Sequence, residues 1–343
     1  MNINKSFFGT TKQGKTVDLF TLENNIGTTV KIINYGATIT TILTHDKQGI
    51  LGDIALGFDD IESYESTENP YFGSTCGRYA NRIKAASFQI NGEKFHLNKN
   101  DGNNTLHGGL KGFDKQIWDS EIKGNNLLLS RTSPDMEEGY PGELKINILY
   151  SLNDMNELKI KYTAKTNKPT FVNLTNHTYF NLKGSGDILN HKIQIHSDYY
   201  TVVDNEAIPT GEIQHVENTE MDLRIPIKIG HNIKNVQGLG YDHNYCLNQN
   251  SRKTDTVAEV IDPESGRILS CITNQPGVQF YSGNFLNGIK GKQGADYQKH
   301  AGFCLETQNY PDSPNHPHFP SSQLNPKQLY EHICTYRFSQ INK

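Results

Sequence analysis

Short runs of strand-forming residues, each ended by a tight-turn signal, recur from one end of this chain to the other, and they restrict the folds open to it. Ser87-Phe-Gln-Ile90 and Glu93-Lys-Phe-His-Leu97 flank Asn91-Gly92, a dipeptide that accepts the positive φ angles of a two-residue hairpin turn. The pattern repeats. Leu144 to Leu152 and Glu157 to Ala164 flank Asn153-Asp-Met-Asn156, while Thr256 to Ile261 and Ile268 to Thr273 flank Asp262-Pro-Glu-Ser-Gly-Arg267. Later strands are expected at Val278 to Tyr281, Gly302 to Glu306 and Ile333 to Phe338. Few stretches carry a helical period, and strands do not alternate regularly with helices, so the pattern predicts an all-β chain. Many hairpins in a chain this long predict a large antiparallel β-sandwich with few short helices.

No Pro/Ser-rich linker, internal repeat or low-complexity tract divides the 343 residues, and strands recur up to the C-terminus. A single domain spanning residues 1–343 is therefore expected. The long polar stretches Lys111 to Ile117, Asp135 to Gly142 and Pro311 to Ser322 are places where parts of a functional site could be carried.

The formal net charge of -4 and the absence of any block of like charges give no electrostatic reason to expect nucleic acid or an anionic membrane as partner. The N-terminal stretch Met1-Asn-Ile-Asn-Lys-Ser-Phe-Phe-Gly-Thr10 has no secretory apolar core, and no apolar run approaches the roughly 20 residues of a membrane span. A cytoplasmic location is expected. Cys76, Cys246, Cys271, Cys304 and Cys334 lie far apart without a Cys-x-x-Cys pair, and are expected as free, mostly buried thiols. Two glycosylation sequons, Asn103-Asn-Thr105 and Asn173-Leu-Thr175, overlap the histidine segments described next, which agrees with a non-secretory location.

Two histidines stand among small polar residues: His107 in Asn103-Asn-Thr-Leu-His-Gly-Gly109 and His177 in Asn173-Leu-Thr-Asn-His-Thr-Tyr-Phe-Asn-Leu182. An imidazole exchanges a proton near neutral pH, and neighbouring amides and hydroxyls can fix its tautomer or bind a polyhydroxylated ligand. Carboxylates occur in comparable surroundings, Asp242 in Gly240-Tyr-Asp-His-Asn-Tyr245 and Glu306 in Gly302-Phe-Cys-Leu-Glu-Thr-Gln308. Read locally, the four point to acid-base chemistry on a polar small molecule. Plainer readings remain open beside this one. His107 fits a solvated turn, His177 a hydrogen-bonded structural residue, Asp242 and His243 a turn cap, and Glu306 a surface strand charge. Glu306 follows Leu305, so the two face opposite sides of a strand, and the sequence does not say which side holds a site. Two histidines and two carboxylates also suit a metal, although none lies at tight ligand spacing, and no metal is expected. Of Arg78 and Arg82, one is expected as a ligand clamp and the other as a structural ion-pair partner. Aromatics such as Phe280, Tyr179 and Tyr281 are expected mostly in the core, with one free to stack on the apolar face of a ligand.

These four segments resemble those of the aldose 1-epimerases (galactose mutarotase family), and the resemblance extends over nearly the whole chain. Further stretches in family order include Asn34-Tyr-Gly-Ala37, Gly77-Arg-Tyr-Ala-Asn-Arg-Ile83, Lys111-Gly-Phe-Asp-Lys-Gln-Ile-Trp118, Gly139-Tyr-Pro-Gly142 and Gln275-Pro-Gly-Val-Gln-Phe-Tyr-Ser-Gly-Asn284. The resemblance implies the galactose mutarotase-like supersandwich and interconversion of the α and β anomers of free aldoses such as galactose and glucose. Matched motif to motif, it implies Glu306 as general base and His177 as general acid, with Asn81, Arg82, His107, Asp242 and Gln279 holding the sugar. It implies no cofactor. The expected partner is a small aldose, met by a monomer or homodimer.

Glu and His have ordinary pKa values of about 4.3 and 6.5, so near neutral pH a carboxylate base and a partly protonated imidazole are both at hand. Two other functions fit the same segments. A non-catalytic sugar-binding module would not require both Glu306 and His177, and an epimerase for a phosphorylated hexose would require a basic cluster, for which the segments offer chiefly Arg82.

Overall fold

The computed structural model describes residues 2–248 and 255–341. Its strand ladders are antiparallel, and three sheets dominate. Nine strands make the largest, in the spatial order Asp119–Lys123, Asn126–Ser133, Leu144–Leu152, Glu157–Thr166, Tyr330–Gln340, Arg267–Thr273, Thr256–Ile261, Lys192–Ile195, Ile227–Lys228. A five-stranded sheet is built from the first 53 residues. Another joins Pro209–His215, Tyr199–Val203, Asp242–Cys246, Gly277–Tyr281 and Cys304–Gln308 in that order, and this sheet carries the site. Among the described residues the α-helix is limited to Ile61–Tyr64, capped by Asp60, whose carboxylate accepts the Ser63 N–H at 2.8 Å. No helix there is long and apolar enough to cross a membrane.

The three hairpins expected from turn chemistry form. Ser87–Ile90 pairs with Glu93–His96, and both turn residues, Asn91 (φ 54°) and Gly92 (φ 83°), take the left-handed angles that a tight turn between twisted strands needs. Leu144–Leu152 pairs with Glu157–Thr166 and Thr256–Ile261 with Arg267–Thr273. Alternation sets the faces: Leu144, Ile146, Ile148, Tyr150 and Leu152 are buried, whereas Lys145 and Asn147 are exposed. Their apolar side chains join one cluster with Phe20 and Ile39 near the N-terminus and Leu305 and Tyr336 near the C-terminus.

Cys304–Gln308 is buried along its whole length, because both faces of its sheet are covered. Leu305 enters the apolar core, and Thr307 Oγ1 lies 2.8 Å from His332 Nε2 on the nine-stranded sheet. Tyr336 fixes the strand further by donating its hydroxyl to the Leu305 carbonyl at 2.8 Å. Cys304, Glu306 and Gln308 consequently share the opposite face.

The long polar stretches serve the main chain, in contrast to the role expected of them. The Arg78 guanidinium, 2% exposed, donates to the carbonyls of Pro141 at 3.0 Å and Gly142 at 2.8 Å and to the Ser133 hydroxyl. Arg78 is thus held by neutral oxygens in place of the ion pair expected for one of the two arginines. In the last stretch, Asp312 accepts the Lys84 N–H at 3.0 Å, and the rings of His316 and His318 meet the carbonyls of Pro209 and Gly211 at 3.1 and 2.8 Å. Buried and half-buried backbone groups must find partners, and these polar side chains supply them.

Candidate active site

His177 follows the two-residue strand Thr175–Asn176, which pairs with Thr75–Cys76. Its backbone is clamped from both sides, the His177 N–H donating to Ser74 at 2.8 Å and the Gly73 N–H to the His177 carbonyl at 3.0 Å. The flanking asparagines do structural work. Asn176 donates to the Gly73 carbonyl at 2.8 Å, and Asn173 Oδ1 accepts the Asn309 N–H at 2.8 Å. With its backbone so fixed, the His177 ring projects into a pocket of about 140 Å³.

The pocket is lined by Pro70, Tyr71, Asn81, Arg82, Leu106, His107, His177, Tyr179, Asp242, Tyr281, Phe285 and Glu306. Six of the seven site residues expected from sequence therefore meet there. Gln279 stands behind them: directly opposite Glu306 in the ladder, it donates from Nε2 to Asp242 Oδ1 at 2.7 Å. Arg82 both lines the pocket and pairs with Asp101 at 2.7 Å, so the clamp and ion-pair roles fall on one arginine. None of the three long polar stretches contributes to the lining. Tyr179 and Tyr281 belong to a second buried apolar cluster and also reach the pocket, whereas Phe280 lies in the main core. Tyr71 and Phe285 were not anticipated. Each is an aromatic in a turn-rich run, Asn69-Pro-Tyr-Phe-Gly73 and Gly283-Asn-Phe-Leu-Asn-Gly288, and that placement is the one local signal that could have found them.

Glu306 Oε1 lies 3.5 Å from His177 Nε2, with both side chains nearly inaccessible. Burial pushes the Glu306 carboxyl well up; the Asp242 charge adds to this and Arg82 opposes it. Burial likewise pushes His177 down to about 4. A raised carboxyl is a stronger base and a lowered imidazolium a stronger acid, so the surroundings sharpen both groups for proton transfer. Glu306 Oε2 is buried with no partner among the described residues, which favours a ligand donor at that atom. The His177 ring lies 5.9 Å from Tyr71 and 5.1 Å from Tyr179, at interplanar angles of 31° and 30°.

His107, Glu306 and His177 bring ligand atoms within 4.8 Å of one another, a spacing the sequence did not reveal and one that three metal ligands could adopt. The tautomer of His107 argues for another use. Its Nδ1 accepts the Asn81 N–H at 3.2 Å, so in the neutral ring the hydrogen sits on Nε2, which then offers a donor to a ligand oxygen and no lone pair to a cation. Burial, with His177 and Arg82 adding to it, keeps this ring well below its usual pKa and therefore neutral. A larger cavity of about 740 Å³ lies between Pro276, Gln323 and Tyr330, away from these groups. Its one carboxylate, Glu331, pairs with Lys161 at 2.9 Å, which makes the smaller pocket the better candidate for acid-base chemistry.

Known proteins resemble the chain over nearly its whole length. The galactose mutarotase of Bos taurus is 46% identical over 343 residues, covering 99% of each chain. That of Homo sapiens is 46% identical over 342 residues, covering 98% of this chain and 99% of its own. A crystal structure of an aldose epimerase homologue from C. elegans superimposes with a TM-score of 0.90 at 30% identity, covering 99% of this chain and all of that one. The sequence profile described as Aldose 1-epimerase matches residues 18–337, and the chain belongs to the aldose 1-epimerase family.

Proposed function

We propose that this isomerase interconverts the α and β anomers of free aldoses such as galactose and glucose, with Glu306 as general base and His177 as general acid. The Glu306–His177 juxtaposition carries the reading: two titratable groups 3.5 Å apart in a buried pocket, each shifted toward stronger proton transfer. Glu306 takes the proton of the C1 hydroxyl as its oxygen forms the C1 carbonyl. The C1–O5 bond breaks, and O5 receives the Nε2 proton of His177. Rotation about C1–C2 turns the other carbonyl face to the 5-hydroxyl, and as the ring closes His177 takes back the proton of the 5-hydroxyl while Glu306 returns its proton to the C1 oxygen. Protons and electrons balance within the cycle, so it calls for no redox cofactor. General acid-base catalysis of this kind contributes about 10² to 10⁴ in rate.

Asn81, Arg82, His107 and Asp242 hold the sugar hydroxyls, and Gln279 orients Asp242 from behind. A simple binding module has no use for a buried, unpaired carboxylate oxygen beside an imidazole, because desolvating such a pair costs stability. A phosphorylated hexose is likewise poorly served, since the cation lining the pocket, Arg82, is already engaged by Asp101. The same reading takes residues 1–343 as one domain and places the protein in the cytoplasm, where the five buried cysteines stay reduced.

Polarimetry of freshly dissolved α-D-galactose and α-D-glucose tests the proposal. Purified protein should speed the approach to anomeric equilibrium, and an unchanged rate for both sugars would remove it.

A further inference from the structure

Six residues of the pocket lining, Pro70, Tyr71, Leu106, Tyr179, Tyr281 and Phe285, have no role in the proposed mechanism. Phe285 is 65% exposed, yet it lines the same pocket as His177 and Glu306. Its neighbours Asn284 and Leu286 are buried, so the loop is anchored on either side of the exposed ring. Asn284 donates to the Tyr241 carbonyl at 2.9 Å and accepts the Ser282 hydroxyl at 2.6 Å. The Phe285 N–H donates to the Tyr281 hydroxyl at 3.0 Å, and the two rings lie 6.2 Å apart and only 21° from parallel. Exposure of Phe285 is therefore imposed by the loop, and the ring is held ready at the pocket rim. A large aromatic left in water contributes little to stability, and one fixed beside a binding pocket offers its face to the ligand at small entropic cost.

The chemistry of the ligand says which face would meet it. Asn81, Arg82, His107 and Asp242 take the hydroxyls, which leaves the C–H surface of the sugar to the aromatic part of the wall. In galactose the axial 4-hydroxyl gathers the C–H groups of C3, C4, C5 and C6 into one continuous apolar face. In glucose the equatorial 4-hydroxyl breaks that face. An aromatic ring packs against the first better than the second.

We propose that Phe285 is a specificity-determining residue, whose ring covers the C3-to-C6 face of galactose and so favours hexoses with an axial 4-hydroxyl over glucose. The proposal rests on the aldose 1-epimerase reading above and deepens it by naming the sugar configuration that the pocket rim selects. Phe285 takes no part in proton transfer, so its removal acts on binding. Its exposed position makes Phe285→Ala safe for folding, and the thermal midpoint should stay that of the parent.

The experiment compares initial mutarotation rates for galactose and glucose in the parent protein, Phe285→Ala and Phe285→Tyr. The parent should prefer galactose in kcat/KM. Phe285→Ala should raise KM for galactose about tenfold, a change worth about 1.4 kcal/mol, leave KM for glucose within about twofold, and so bring the ratio close to unity. Phe285→Tyr, which keeps the flat face, should restore the preference. A parent without galactose preference, or a Phe285→Ala ratio equal to that of the parent, would overturn the role of Phe285, as would an equal loss on both sugars. Anomer interconversion by the parent is read in the same assay, so failure of the epimerase reading is distinguished from failure of this one.

Discussion

Asn81 and His107 bind each other twice, the His107 N–H donating to the Asn81 carbonyl at 3.1 Å and the Asn81 N–H to His107 Nδ1 at 3.2 Å. Both backbones take left-handed angles, φ 63° and 51°, uncommon outside glycine but adopted by Asn and His more readily than by most residues. The double contact fixes the ring and leaves its Nε2–H for a sugar oxygen. Nitrogen-15 shifts of histidine-labelled protein should therefore report His107 as the Nε2–H tautomer, and the opposite tautomer would exclude this role. His107→Ala should raise KM for galactose by about two- to tenfold, the worth of one neutral hydrogen bond, with a smaller effect on kcat.

Glu306 is costly to the fold, a cost that its proposed role as general base accounts for. Its folded pKa lies above the unfolded value, so stability is full below about pH 4.3 and is lost as pH rises through the folded value. At neutral pH, Glu306→Gln removes that penalty while keeping the shape. The thermal midpoint of this variant should rise relative to the parent at pH 7, and kcat should fall by about 10² to 10⁴. Full activity in Glu306→Gln would remove Glu306 as the base.

Much of this was legible in the sequence, for identifiable reasons. Asn91-Gly92 and the alternation from Leu144 to Leu152 are local signals, and a local signal survives folding because backbone angles and strand faces are set within a few residues. His107, His177, Asp242 and Glu306 were found because their neighbours are polar out of proportion to a core segment. Gln279 was placed on the sugar because its segment matches the family. Its actual reach to Asp242 depends on the ladder between Asp242–Cys246 and Gly277–Tyr281, which local sequence does not contain. The polar loops misled for a related reason: Asp312 and Glu138 satisfy N–H groups of Lys84 and Leu110, 228 and 28 residues away, and such pairings exist only after folding. Phe285 went unnoticed because exposure of an aromatic is a property of the fold.

Five buried histidines, His107, His177, His191, His243 and His332, make the fold sensitive to acid. Burial pushes His177 and His191 down to about 4 and His332 to about 3. In the unfolded chain each takes up its proton near pH 6.5, while the folded protein refuses it, so stability is full above about 6.5 and falls as pH drops toward 4. Each unit of pKa difference is worth about 1.36 kcal/mol per group, so the combined loss amounts to several kcal/mol. The urea midpoint should decrease clearly between pH 7 and pH 5. An unchanged midpoint across that interval would show that these rings ionise in the folded state.

The proposed catalytic pair, Glu306 and His177, sets a different pH dependence for activity. Glu306 deprotonated with His177 protonated, the form that starts the reaction, holds the same single proton as Glu306 protonated with His177 neutral, the form that burial favours in the empty pocket. At 3.5 Å the two forms can exchange through one proton transfer or by way of the sugar hydroxyl. What pH controls is therefore whether the pair holds one proton at all. A second proton enters only near the lowered value of His177, about 4, and the single proton leaves only above the raised value of Glu306. The profile of kcat/KM should thus be bell-shaped, with an acid limb near pH 4 to 5, well below the 6.5 of a free imidazole, and an alkaline limb where the raised Glu306 carboxyl loses the shared proton. An acid limb at 6.5, measured over a range where circular dichroism confirms the folded state, would mean that the proton given to O5 does not come from a buried His177.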